Sequence, residues 1–597
     1  MSVTDRIAQL RKLMEERNMD AYIIPSADNH QSEYVGEHFK ARAFISGFTG
    51  SAGTVIVTKE DAGLWTDGRY FIQAEKQLEG SGIRLFRMAE PGVPTKEEFL
   101  ASVLPEHGVL GFDGKVIGAA EGQNYENILK DKNVSVSYEE DLISYIWQDR
   151  PALSDAPAFL LDLQYAGESA ASKLKRLREK MKESNATLHI LSSLDDIAWL
   201  LNIRGGDVMY TPLVLSYAVI TMDNVHLFIN ETKLNQEILD SWKELSVILH
   251  PYEEIYSFVK TLDTDSHVLL DSSRINYAIY KNLPEKMEKV EAPNPTTAFK
   301  AIKNETELKN VRISHIKDGV AFTKFMYWLK KNVGKMPITE RSASDKLEEF
   351  RSQQEGFISP SFSPIVAYKE HAAMMHYSAT PESDYELKPE HFLLADTGGN
   401  YYEGTTDLTR TVVLGPISDT LKKHFTAVAR GMMNLARARF LYGCRGVNLD
   451  ILAREPMWSL DIDYKCGTGH GVGYLLNIHE GPASFHWQLY PSRPLPAVLE
   501  EGMVITDEPG IYVENSHGIR LENELVVRKG AKNEFGQFMG LENVTVVPID
   551  LDAIIPEDLN KDERDYLNHY HKFVYETLSP YMTEEENEWL KEYTREI

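Results

Sequence analysis

The sequence predicts two related α/β domains followed by a larger α+β domain. Three observations carry this: a helix-then-strand pattern that recurs with matching residues, two acidic hairpins bracketing a glycine-flanked histidine, and a length of 597 residues, too great for one core.

The first domain opens on Asp5–Asn18, which reads as a helix with Asp5 as cap candidate and Ile7, Leu10, Leu13 and Met14 at helical spacing. The strand Ala21–Pro25 follows. The same order returns where LRKLMEERNMDAYIIPSAD (10–28) superposes on LREKMKESNATLHILSSLD (177–195), pairing Met14 with Met181, Asn18 with Asn185 and Ser26 with Ser193. Helix-then-strand is common in any α/β protein, but each copy continues into a glycine-containing apolar turn and further strands, which favours duplication. Turn residues near Arg150-Pro151 and in APNPTT (292–297) mark the limits, giving domains 1–155, 156–300 and 301–597.

The third domain begins at Asn304, a cap with Glu307 three positions on, leading a helix that carries Leu308, Val311, His315 and Ile316. His315 reads as a surface or packing residue. A second helix, Thr339–Gln354, precedes the loop and strand 359–368, and the acidic tail 557–597 is helical, with Tyr566, Tyr570, Phe573 and Trp589 as packing residues.

Between them lies the chemistry. HFLLAD (391–396) and TTDLTRTVVL (405–414) read as strands of a hairpin with its tip at Tyr401-Tyr402, which would set Asp396 opposite Asp407. GMVITDEPGIYVE (502–514) and GIRLENELVVR (518–528) make a second hairpin turning at Asn515, with Glu508 opposite Glu522. Directly opposed like charges destabilise a sheet unless a cation lies between them. Either hairpin alone reads equally as solvated turn residues; two of them around GTGHGVG (467–473), whose His470 sits among glycines, favour a cation site. Four carboxylates and one imidazole suit Mn²⁺, Co²⁺ or Zn²⁺, and their charge balances two divalent ions, an arrangement found in aminopeptidases.

Composition narrows the partners. Acidic residues outnumber basic ones to a formal charge of -27, which repels nucleic acid and anionic membrane. Two cysteines, Cys444 and Cys466, make no disulfide framework and fit a reducing compartment. No apolar run reaches the roughly 18 residues of a membrane span, and the N-terminus lacks a secretory apolar core, so the expected location is cytoplasmic.

The blocks ADTGGNYYEGTTDLTRT, GTGHGVGYLLNIHEGP and GMVITDEPGIYVENSHGIRLEN, with AYIIPSADNHQSEYVGEHFKARAFISGFTGSAGTVIV and LWTDGRYF in the N-terminal half, resemble aminopeptidase P (X-prolyl aminopeptidase) in its long, three-domain form. The resemblance implies two creatinase-N-like domains, a pita-bread catalytic domain and a homodimer. It implies five metal ligands, Asp396, Asp407, His470, Glu508 and Glu522, and hydrolysis of the first bond of peptides with proline in second position. It also implies that Glu508 takes the proton of the attacking water while His376 and His479 lie on the substrate side. Arg520, two residues before Glu522, shares its face and reads either as a partner of a ligand carboxylate or as an ordinary surface ion pair. Cys466 departs from the family, whose members commonly carry a histidine four residues before the metal histidine. Two other readings remain open: a prolidase-type Xaa-Pro dipeptidase, disfavoured by the duplicated N-terminal half, and a catalytically silent pita-bread binding module, disfavoured by the retained ligands.

Overall fold

The N-terminal helix is Val3–Glu16, and its cap is Ser2 rather than Asp5. Ser2 Oγ accepts the Asp5 N–H at 3.2 Å while Asp5 Oδ2 accepts the Ser2 N–H at 3.1 Å, so Asp5 is the third-position partner of a capping box. The helix ends on Asn18 in the left-handed region at φ 54°, and the helix Ala170–Glu183 ends likewise on Asn185 at φ 55°. Asparagine tolerates this region because its short side chain bonds locally. The chain then turns back identically: Met19 N–H reaches Met14 O and Ala186 N–H reaches Met181 O, both at 2.8 Å. Both methionines are buried.

This computed structural model describes residues 1–489 and 495–597. They divide into two compact units, Met1–Leu160 with Ser169–Thr296, and Leu161–Glu168 with Thr297–Ile597. The first unit holds two six-stranded sheets of one topology. In one the order is Arg84–Arg87, Ala62–Thr66, Thr54–Thr58, Ala21–Pro25, Val109–Phe112, Ser135–Ser137. In the other it is Val247–His250, Val225–Ile229, Ser216–Thr221, Leu188–Leu191, His267–Leu270, Glu288–Glu291. In both, the strand after the capped helix pairs antiparallel on one side and parallel on the other. The duplication read from the helix-strand repeat is therefore a duplication of whole topology.

The second unit begins with the helix Glu305–Asn332, capped by Asn304 in a box with Glu307, and the helix Glu340–Ser352, capped by Thr339. Their apolar faces, with Phe322, Phe325, Met326 and Leu347, cover the sheet Ile365–Tyr368, Phe392–Thr397, Leu408–Val413. A six-stranded sheet runs Arg439–Leu441, Gly536–Asn543, Asn523–Asn533, Val504–Asp507, Gly469–Gly471, Glu480–Phe485. The tail forms the helices Lys561–Leu578 and Glu584–Tyr593. Tyr570 is buried as expected, whereas Phe573 is exposed.

The two hairpins differ from each other in register. In the first, Asp396 faces Thr409 and Tyr401 faces Gly404, so the tip falls at Tyr402-Glu403, one residue later than the sequence suggested. Asp407 is thus displaced two positions from the residue opposite Asp396, a diagonal neighbour on the same face. The Gly-Gly-Asn signal marks where the chain leaves one sheet for another, not the turn itself. In the second, Asp507 pairs Asn523 and Gly510 pairs Arg520, so the ladder holds one register across an interruption. Glu508 and Glu522 lie opposite each other in that interruption.

Candidate metal centre

Five chain segments converge on one buried acidic site. Asp396 comes from Phe392–Thr397, Asp407 immediately precedes Leu408–Val413, His470 is the middle residue of Gly469–Gly471, and Glu508 and Glu522 lie on the two strands of the interruption. Ligand atoms of Asp407, His470 and Glu522 lie within 4.8 Å of one another. His470 Nε2 is 3.5 Å from Asp407 Oδ2 and 3.4 Å from Glu508 Oε1. Its other nitrogen, Nδ1, donates to Gly471 O at 3.0 Å, which fixes the tautomer and turns the Nε2 lone pair toward the carboxylates. Glycine is required beside it: a Cβ at Gly469 would lie 1.9 Å from Thr506 O.

Three of the four carboxylates are held by a named donor. Glu522 Oε2 accepts from Thr409 Oγ1 at 2.7 Å, and Glu508 Oε1 accepts from Thr506 Oγ1 at 3.1 Å. Asp396 Oδ2 accepts from Arg520 Nη2, and Arg520 also donates to Tyr512 Oη at 2.7 Å. Arg520 is 3 % exposed, so it is a buried partner of Asp396 and not a surface ion pair. Asp396 Oδ1 is buried without a hydrogen-bond partner, a state that suits an oxygen turned toward a cation.

The electrostatics ask for a cation. Burial, together with the Asp396 and Glu508 charges, pushes Asp407 up to about 6 even though the His470 hydrogen bond acts the other way. Burial and the charges of Asp407, Glu508 and Asp396 raise Glu522 well above the usual carboxylate range. Burial works against protonated His470, yet Asp407 and Glu508 outweigh it and lift the imidazole to about 9. A divalent ion among such groups reverses each of these preferences. The donor set, all oxygen and imidazole nitrogen, suits such an ion.

The two histidines expected on the substrate side, His479 and His376, are placed differently. The His479 ring meets His470 edge-on with centroids 4.3 Å apart. His376 is exposed, in the segment after the short helical turn Lys369–Ala373, and its neighbour Met375 offers its carbonyl to Arg520 Nη2 at 3.4 Å. Cys466 is partly buried among apolar side chains, and burial with the Glu508 charge pushes its thiol up to about 12.

Sequence reasoning missed a layer behind the acids. Glu524, fully buried, accepts the Asp407 N–H at 2.6 Å and lies 3.2 Å from Nε2 of His315, which is buried and not at the surface. Arg410 is completely buried and donates to the Glu522 carbonyl at 2.7 Å, to Asn523 Oδ1, Val547 O and Tyr570 Oη at 2.8 Å, and to Pro548 O at 3.1 Å. Period-two spacing gives the signal for both Thr409 and Glu524, each two residues beyond a site acid and on its face. Arg410 carried none, since its acceptors lie far along the chain.

Residues 6–143 and 149–307 each match the creatinase/prolidase N-terminal domain, residues 309–529 match metallopeptidase family M24, and residues 537–597 match the C-terminal region of that peptidase. Aminopeptidase P2 of Arabidopsis thaliana is 38% identical over 100% of this chain and 89% of its own length. Xaa-Pro aminopeptidase 1 of Dictyostelium discoideum is 35% identical over 99% of this chain and 96% of its own. The crystal structure of X-prolyl aminopeptidase from Caenorhabditis elegans, described as a cytosolic enzyme with a di-nuclear active site, superposes with a TM-score of 0.94 at 34% identity, covering 100% of both chains. With two creatinase-N domains ahead of a pita-bread metallopeptidase domain and this identity along its whole length, the chain belongs to the aminopeptidase P family.

Proposed function

We propose that this chain is a metal-dependent aminopeptidase that removes the N-terminal residue from peptides with proline in second position. The observation that carries the reading is the convergence of Asp407, His470 and Glu522 within 4.8 Å, with Glu508 at 3.4 Å from the same imidazole and Asp396 presenting a partnerless buried oxygen. Those five residues would hold two divalent ions. Mn²⁺ is the ion we favour for an oxygen-rich set, with Co²⁺ or Zn²⁺ as alternatives. Bound there, the ions supply Lewis-acid polarisation of the scissile carbonyl and an acidified water.

The protein groups do the rest. Glu508, oriented by Thr506, receives the proton of the attacking water. His479, beside His470, and His376, at the exposed edge, donate hydrogen bonds to the tetrahedral oxyanion and pass a proton to the prolyl nitrogen, which leaves only when protonated. Arg520 keeps Asp396 aimed.

The scissile bond sets the specificity. An Xaa-Pro amide has no N–H for strand-like recognition, and the ring fixes φ near about −65°, so ring shape is what the site must read. The trans isomer, being the majority form, is the expected substrate. Domains 1–155, 156–300 and 301–597 are the units we assign to this enzyme. A cytoplasmic homodimer is the form we propose; the exposed apolar Trp458, Leu460, Trp487 and Leu489 support self-association. No helix among the described residues is long and apolar enough to cross a membrane.

The test is a mass-spectrometric time course on an Xaa-Pro-Yaa tripeptide, its Xaa-Ala counterpart, an N-acetylated version and the Xaa-Pro dipeptide. Release of the first residue from the tripeptide alone is expected. Fast cleavage of the alanine or acetylated peptide would overturn the assignment, and activity confined to the dipeptide would make the enzyme a prolidase.

A further inference from the structure

Glu340 opens the helix Glu340–Ser352 and is completely buried. A buried carboxylate is costly unless its oxygens are filled by donors. Here the donors all come from one stretch of chain: Tyr368 N–H at 2.7 Å, His371 Nδ1–H at 2.9 Å, Tyr377 O–H at 2.9 Å and Tyr385 N–H at 3.0 Å. The His371 ring lies against Tyr377 and Tyr385, with centroids 4.4 Å and 3.8 Å away. One carboxylate therefore gathers both ends of the segment 368–385 and its middle.

The same segment rests on the hairpin that carries Arg520 and Glu522. A Cβ at Gly518 would lie 1.7 Å from Ala372 O, so the two backbones are in direct contact there. Arg520, while holding Asp396, donates to Met375 O at 3.4 Å. His376 follows at once and is exposed. The segment is fixed behind by Glu340 and in front by the hairpin, and the side chain between those attachments that faces outward with proton-transfer chemistry is His376.

We propose that Glu340, acting with His371, is a positioning residue: its carboxylate pins the segment 368–385 so that His376 is held in place for the reaction, without itself touching metal or peptide. The proposal rests on the reading of His376 as a substrate-side group. Its physical basis is that a displacement of about 1 Å in a reacting group costs on the order of 100-fold in rate.

Three variants test it. Glu340→Gln puts an NH₂ group where donors now point; His371→Phe keeps the ring between the two tyrosines but removes the Nδ1–H; His371→Asn keeps an N–H in that place. For Glu340→Gln and His371→Phe, kcat on the Xaa-Pro tripeptide should fall about 10- to 100-fold with KM changed by less than about threefold. Bound metal per chain should be unchanged, and amide hydrogen exchange should quicken across 368–385. His371→Asn should restore both kcat and protection. Normal kcat in Glu340→Gln would overturn the proposal, and so would metal loss accompanying the drop, which would make Glu340 a general support of the fold. If the parent protein fails to cleave Xaa-Pro peptides, it is the functional reading that falls; the exchange measurement then still decides the pinning, and unchanged exchange in Glu340→Gln overturns it.

Discussion

Thr409 donates a 2.7 Å hydrogen bond from Oγ1 to Glu522 Oε2, and Thr409 is the residue that faces Asp396 across the sheet. Arg520 Nε reaches the same Oγ1 at 3.3 Å, so one hydroxyl joins the two acidic hairpins. Thr409→Val preserves shape and removes both bonds. Metal retention against a chelator should fall about 10- to 100-fold, and Thr409→Ser should recover it. Equal retention in the valine variant would show that the hydroxyl does not orient Glu522.

Asp407→Asn and Glu522→Gln each remove a charged donor from the converging set. Both metal content and turnover should drop, measured by elemental analysis beside peptide hydrolysis. A variant keeping two ions per chain and the full rate would remove its residue from the ligand set.

Cys466→Ser should leave the metal stoichiometry unchanged. The thiol is packed among apolar side chains and raised toward about 12, so it is an uncharged neighbour of the site. Loss of an ion in the serine variant would make the sulfur a ligand.

His571 predicts an acid sensitivity. It is completely buried, and its Nε2 accepts the Ile549 N–H at 3.0 Å, so protonation of that nitrogen would break the bond. Burial first, and then Arg410 and Arg595, push it down to about 3. Because the folded value lies below the ordinary value of about 6.5, the unfolded chain takes up the proton first, and stability falls as pH drops from about 6.5 toward about 3. The slope from this residue is at most about 1.4 kcal/mol per pH unit. His571→Gln, whose amide oxygen can accept the same N–H, should flatten the fall of the urea midpoint between about pH 6 and 4.5 relative to the parent. Parallel profiles would exclude His571 as the group responsible.

Tyr570→Phe removes the hydroxyl that accepts from Arg410 at 2.8 Å and donates to Val547 O at 2.6 Å. A cost of about 1–3 kcal/mol is expected from the unmatched buried donor. Since Arg410 also holds the Glu522 carbonyl, metal retention should weaken with it. A phenylalanine variant with the parent's urea midpoint would show that the hydroxyl contributes nothing.

Much of the fold and of the site is legible in the sequence. The asparagine-capped box at Asn304 and the repeat pairing Asn18 with Asn185 could be read because local signals agree with the fold at those places. Glu508 and Glu522 stand opposite each other as read, because their hairpin is centred on Asn515, the turn the sequence marks. Asp396 and Asp407 are not opposite, because the glycine signal between them marks a crossing between sheets and the tip falls at Tyr402-Glu403, one residue beyond the place the sequence suggests. Glu340 looked like the first turn of a helix, and nothing local reveals that its four donors lie from Tyr368 to Tyr385.

Arg410 has a consequence for the order in which the enzyme comes into being. Apart from the adjoining Thr409 carbonyl, its acceptors are Glu522, Asn523, Val547, Pro548 and Tyr570, the nearest 112 and the farthest 160 residues downstream. During synthesis the first acidic hairpin leaves the ribosome with this guanidinium still unmatched, and it stays so until almost the entire chain has been translated. A chain made only as far as the first acidic hairpin therefore lacks His470, Glu508 and Glu522 together with the frame that closes them, and the site is completed only near the end of translation.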